Sequence, residues 1–217
     1  MESKSTDDFV GRFRTGRMVD NRPESLATWR VTTKDPKVAD AVANVMGGSP
    51  DEWETTGEDF NEVITETNKA LIVISGPEAL TAEMILWGQS GVIHRCNGVE
   101  FVSPEKVKGT PCGCPPLMED RKAHARSGRG PQPHISLVFR LADDYHLGKF
   151  RFQSGAWTVL GLVHEIDTAL STHKGEVLAE LSLELVELTT KAGRNVCYRK
   201  PVVTILGPAS AGEVSGG

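Results

Sequence analysis

The sequence predicts an α+β fold: an antiparallel sheet of hairpins, two or three packed helices and an irregular, cysteine-containing insertion. Three observations carry that expectation. Runs of period-two alternation outnumber helical runs and come in pairs separated by turn residues. Two stretches, 36–46 and 158–170, repeat apolar residues at helical spacing. No strand–helix–strand rhythm is sustained, which sets aside a doubly wound parallel sheet.

Length and composition bound the rest. A chain of 217 residues, 39% hydrophobic and 24% charged, has the make-up of a globular protein with one sizeable core. We expect a single domain over 11–206, with a cysteine knuckle at 94–134, a disordered tail at 1–10 and a flexible tail at 207–217. The net charge of -5 argues against wholesale nucleic-acid binding, which needs a basic face, and favours a protein or small-molecule partner. No run reaches the ~20 apolar residues of a membrane span, and the polar amino terminus lacks a signal-peptide core. A cytoplasmic location is expected, where disulfides are unusual. The four cysteines are then free thiols or metal ligands.

Taken in order, 11–22 is a basic segment with four arginines, Arg12, Arg14, Arg17 and Arg22. These either pair with the chain's own carboxylates or contact an anionic partner, since the guanidinium fork suits both. Residues 27–32 alternate around Trp29 and Val31 as a strand. Asp35 and Pro36 then open a helix as cap and first residue, with Val38, Ala41, Val42 and Val45 on one side and Gly47-Gly48 closing it. An acidic loop spans 53–60. Residues 61–67 and 70–75 read as a strand pair or one long bent strand, and 78–87 as a short helix carrying Leu80, Met84 and Trp87. A helical run over 117–129 carries Arg121 and Arg126. Strands at 134–141 and 148–153 form a hairpin about Asp143-Asp144, which read as turn residues. Thr158 opens the second clear helix. Residues 177–188 alternate most cleanly, with Ala179, Leu181, Leu183 and Leu185 opposite Glu180, Ser182 and Glu184. Residues 196–206 return beside them, and Pro201 predicts an edge position or a bulge at that point.

The least ordinary stretch is 94–116. It reads His94-Arg95-Cys96-Asn97-Gly98 and, later, Gly109-Thr110-Pro111-Cys112-Gly113-Cys114-Pro115-Pro116. Of its three cysteines, Cys112 and Cys114 sit beside glycine and proline, and Cys96 lies two residues before Gly98; such residues make the tight turns that aim thiolates at a common point. They are either inert thiols in a turn-rich segment or ligands of a structural zinc. A closed zinc site needs a fourth donor. His134, at the end of the rigid Pro131-Gln132-Pro133 linker, is preferred over His124, and Cys197 reads as a buried core cysteine. The expected metal set is therefore Cys96, Cys112, Cys114 and His134.

Catalytic signatures are missing. No phosphate-binding glycine loop occurs, His164-Glu165 lacks the second histidine of a metalloprotease helix, and no nucleophile elbow is present. No catalytic residue is assigned. Were a water the fourth metal ligand, a small metal-dependent hydrolase of phosphoesterase type would be the alternative. A zinc-stabilised protein-binding module is the other.

An ordered series of residues resembles a known family. It comprises Gly11-Arg12-Phe13-Arg14-Thr15-Gly16, Arg22-Pro23 with Leu26, and Trp29-Arg30-Val31-Thr32. Gly47-Gly48 before Trp53, Val63-Ile64-Thr65-Glu66 and Trp87 before Gly91 follow in order. Then come Arg95-Cys96-Asn97-Gly98, Pro111-Cys112-Gly113-Cys114-Pro115 and Leu147-Gly148-Lys149-Phe150-Arg151. Over 11–206 the chain resembles recombination directionality factors, the partners of large serine integrases in actinobacterial phages. The resemblance implies a non-catalytic protein that binds the integrase, meets DNA only through it, and redirects recombination from integration to prophage excision. Relatives carry a further cysteine near where this chain has Pro131, so here His134 or His124 would replace it. The candidate partner contacts are Arg12, Arg14, Arg17, Arg121 and Arg126.

Overall fold

In the computed structural model the described residues are 9–173, 175–189, 193 and 195–209. The expected tails fall largely on 1–8 and 210–217, outside them, as do three of the four residues of the turn expected at 191–194. Among the described residues twelve strands and three α-helices make an α+β fold on a mixed sheet. The chain divides into two compact units. Unit 1 takes in residues 1–79, 138–152 and 165–217; unit 2 takes in 80–137 and 153–164. No helix among the described residues is long and apolar enough to cross a membrane, which says nothing of a β-barrel.

Unit 1 opens with β1 (Gly11–Val19) and β2 (Arg22–Thr33), an antiparallel hairpin. Its two-residue turn, Asp20-Asn21, has φ of 49° and 59°, the paired left-handed conformation whose twist matches flanking strands. The basic segment is thus mostly strand. Phe13 points inward and Arg12 and Arg14 outward, because alternate strand residues face opposite sides. α1 (Pro36–Met46) starts as expected, with the Asp35 carboxylate accepting from the Lys37 amide at 2.9 Å. β3 (Pro50–Glu52) and β4 (Asn61–Ile64) follow, then β5 (Lys69–Ile74). Neither the strand pair nor the single bent strand expected from 61–67 and 70–75 forms. β4 pairs with β2 and β3, whereas β5 pairs with a strand from the far end of the chain.

That strand is β11 (Val177–Thr189), whose hairpin partner β12 (Asn195–Pro208) lies at the sheet edge, one of the two placements that Pro201 predicts. β9 (Gln132–Leu141) and β10 (Phe150–Ser154) are neighbours, and β10 pairs β1 in parallel, which makes the sheet mixed. An aromatic cluster fills the unit's core. Phe13 packs edge-on against Trp29, Phe139 and Phe150 with ring centres 5.2 to 5.6 Å apart, and Trp29 meets Phe152 likewise. Such pairs add ~0.5–1.5 kcal/mol each beyond the apolar area they bury.

Unit 2 contains β6 (Leu80–Gly88), β7 (Gly91–Cys96), β8 (Phe101–Ser103), α2 (Met118–Arg126), the first six residues of β9 and the first half of α3 (Trp157–Thr172). β6 corrects the helix expected at 78–87. Leu80, Met84 and Trp87 do fall at helical spacing, but backbone ladders to both neighbours make the segment a strand. β6 pairs β7 from Met84↔Cys96 to Gly88↔Gly91, and β9 from Leu80↔Leu137 to Ile85↔Gln132.

Candidate metal centre

β7 alternates, so residues two apart share a face. His94 and Cys96 are two apart, and both face the turn that carries Cys112 and Cys114. The four donor atoms lie within 4.8 Å of one another. Cys96 Sγ and Cys114 Sγ are 3.7 Å apart, and Cys114 Sγ is 3.6 Å from His94 Nε2. A tetrahedral zinc, with bonds of ~2.3 Å to sulfur and ~2.05 Å to nitrogen, has sulfur–sulfur edges of ~3.8 Å and sulfur–nitrogen edges of ~3.6 Å. Those two edges of the cluster match that tetrahedron, and all four donors lie close enough to share one ion.

Two short turns aim the sulfurs. The Gly98 amide donates to Cys96 and the Cys114 amide to Cys112, each from two residues further on. Gly98 (φ 94°) and Gly113 (φ 73°) supply backbone conformations that other residues adopt only under strain. The Asn97 carboxamide steadies the first turn by accepting from the Val99 and Glu100 amides, both at 2.9 Å. Arg121 of α2 ties the two turns together. Its Nη2 donates to the Gly98 carbonyl at 2.8 Å and its Nε to the Pro115 carbonyl at 2.5 Å.

The surroundings are apolar. Met84 is buried with Cys96 and Cys112, and Phe101, Trp157 and Leu160 pack around them. Burial sets the protonation of the metal-free cluster. It lowers the His94 pKa, which favours the neutral imidazole that a metal needs. Burial, with the neighbouring thiols, pushes Cys114 up to about 12, and burial raises Cys96 as well. Burial would raise Cys112 too, but the Cys114 amide and the two other thiols donate to its sulfur and bring it below the ordinary value.

The structure therefore brings together three of the four expected ligands, Cys96, Cys112 and Cys114, and completes the set with His94. His134 is not part of the group. On β9 it stands opposite Glu83, one residue out of phase with the Met84–Cys96 pair, so it takes the other face of the sheet and approaches Gln153 at 3.4 Å. His124, on α2, is likewise outside the cluster. Sequence reading missed His94 although a signal was there: His-x-Cys inside a strand puts both donors on one face. Cys197, expected in the core, is exposed.

The arginines are largely engaged within the chain. Arg12 and Arg14 both meet the Asp59 carboxylate, Arg14 also donates to Thr32 Oγ1 at 2.9 Å, and Arg17 pairs with Glu24 at 2.7 Å. Arg121 serves the cysteine turns, and Arg126 is exposed.

Fold and cluster together define a class: an α+β protein on a mixed sheet, with a Cys3His group that could hold a metal set into its second unit. The model of the Gp3-like family, described as recombination directionality factor-like, matches residues 10–205. The chain belongs to that family, and membership implies a protein partner in recombination. No solved structure matches the chain.

Proposed function

We propose that this protein is a non-catalytic recombination directionality factor that binds a large serine integrase and turns recombination from integration to prophage excision. The observation that carries the reading is the family match over nearly the whole chain, residues 10–205. The mechanism it implies is a population shift. The factor binds the excision-competent arrangement of the integrase more tightly than the integration-competent one, and the difference in affinity sets the direction. A net charge of -5 supports a protein surface rather than DNA as the main contact. Arg126, exposed on α2, is the arginine kept as a candidate contact with that partner.

Zinc is the metal that best suits three thiolates and an imidazole at tetrahedral spacing. Its role here is structural. Cys96, Cys112, Cys114 and His94 would together fill all four positions, leaving none for a hydrolytic water. That donor count favours the regulator over a metal-dependent phosphoesterase.

The test is direct. Purified protein is mixed with a large serine integrase from the same genome and DNA carrying left and right attachment sites. Excision product only when both proteins are present is the expected result. Absence of excision, with integration also unaffected, would sink the proposal.

A further inference from the structure

The hairpin β6–β7 ends in an uncharged tip that carries exposed apolar side chains beside a Gln89-Ser90 turn. Over residues 84–93 no charged side chain occurs, in a chain that is 24% charged. Three large apolar side chains stand out at that tip: Trp87 is 65% exposed, Val92 46% and Ile93 67%. Exposed Trp and Ile at one place have the chemistry of an interface anchor rather than of ordinary surface.

The backbone explains their clustering. The ladder pairs Leu86 with His94 and Trp87 with Val92, so Ile93 is the extra residue of a bulge. A bulge re-aims side chains, and here two consecutive residues of β7 oppose the single Trp87. Ile93 lies across Gly88, where an added Cβ would come within 2.5 Å of its Cδ1. The same bulge interrupts the outer edge of β7, which disfavours the addition of a further strand and hence edge-to-edge pairing with a second copy. The tip is therefore suited to insertion of side chains. Immediately beyond it, His94 and Cys96 tie the strand into the cysteine cluster.

We infer that Trp87, Val92 and Ile93 form the anchor by which this protein docks into an uncharged, apolar cleft of its recombination partner. The inference rests on the integrase-binding reading and names the surface that performs it. The occupant is the partner protein because the family requires one and because the tip offers neither charge for DNA nor a regular edge for self-association.

The experiment measures binding of the full chain to a large serine integrase from the same genome. Parent, Trp87→Ala, Ile93→Ser and Leu206→Ser are compared, the last a control at an exposed leucine of β12. Melting temperature and bound metal are recorded for each. Truncating an anchor costs about thirtyfold in affinity. The two tip variants are expected to show that loss with melting and metal content unchanged, while Leu206→Ser stays within about twofold of the parent. Tip variants that bind within twofold of a binding parent would remove the surface and leave the integrase reading standing. A parent that does not bind removes both. A dimer of the parent that the tip substitutions dissolve would overturn the inference in favour of a second copy.

Discussion

His94 Nε2 and Cys114 Sγ stand 3.6 Å apart although twenty residues separate them in the chain. That spacing joins a strand to a turn and completes a four-donor group with Cys96 and Cys112.

Protein purified without chelator is expected to carry about one zinc per chain. His94→Ala should lose most of it, whereas His134→Ala should retain it, because His134 faces Gln153 on the other side of the sheet. Metal analysis of the two variants decides between them. Retention by His94→Ala and loss by His134→Ala would invert the assignment.

Arg121→Ala removes the hydrogen bonds that tie the Gly98 and Pro115 carbonyls. Outer supports of this kind typically govern ~10- to 100-fold in metal affinity. A competition titration against a chromophoric chelator should show that loss for Arg121→Ala and none for Arg126→Ala.

Stripping the metal should destabilise unit 2 before unit 1. The apo cluster is left with a neutral histidine and thiols buried among Met84, Phe101 and Trp157, and binding energy that had supported folding is gone. A loss of ~3 kcal/mol corresponds to a fall of about 6–12 °C in melting temperature at this chain length. Hydrogen exchange in β7 and the cysteine turns should accelerate, with the Phe13–Trp29 core unchanged.

Tyr145 donates its phenolic hydrogen to Glu176 Oε1 at 2.7 Å, and that bond, followed by burial and the carboxylate's charge, raises its pKa above the usual value. A folded pKa above the unfolded one means that the contribution is intact below ~10 and is lost as pH rises through the raised value. The parent's stability should therefore fall faster above pH 10 than that of Tyr145→Phe. Parallel curves in denaturant titrations would show that the bond contributes nothing.

Much of the fold was legible. α1 was marked by Asp35, Pro36 and Gly47-Gly48, and β11 by its alternation, because these signals are local and act within a few residues. Where the expectation failed, pairing had overridden spacing. Leu80, Met84 and Trp87 suit a helix as well as a strand, and only the ladders to β7 and β9 select the strand. Cys197 reads as a core residue, yet it pairs with Glu187, beyond residues 177–182 of β11 that β5 covers, and it is exposed. The arginines of β1 were left open between partner and self. Asp59 and Glu24 engage Arg12, Arg14 and Arg17 within the chain.

By itself the sequence determined the fold class, the family and the three cysteines of the cluster. Composition, alternation and residue order are local properties, and they survive without coordinates. Only the tertiary structure decided the fourth donor and the exposed tip beside it. Which histidine faces the thiols depends on the phase of one strand against another, and a shift of one residue moves a side chain to the opposite face of the sheet. Register between distant segments chose His94 over His134, and the bulge in that same ladder turned Ile93 outward beside Trp87.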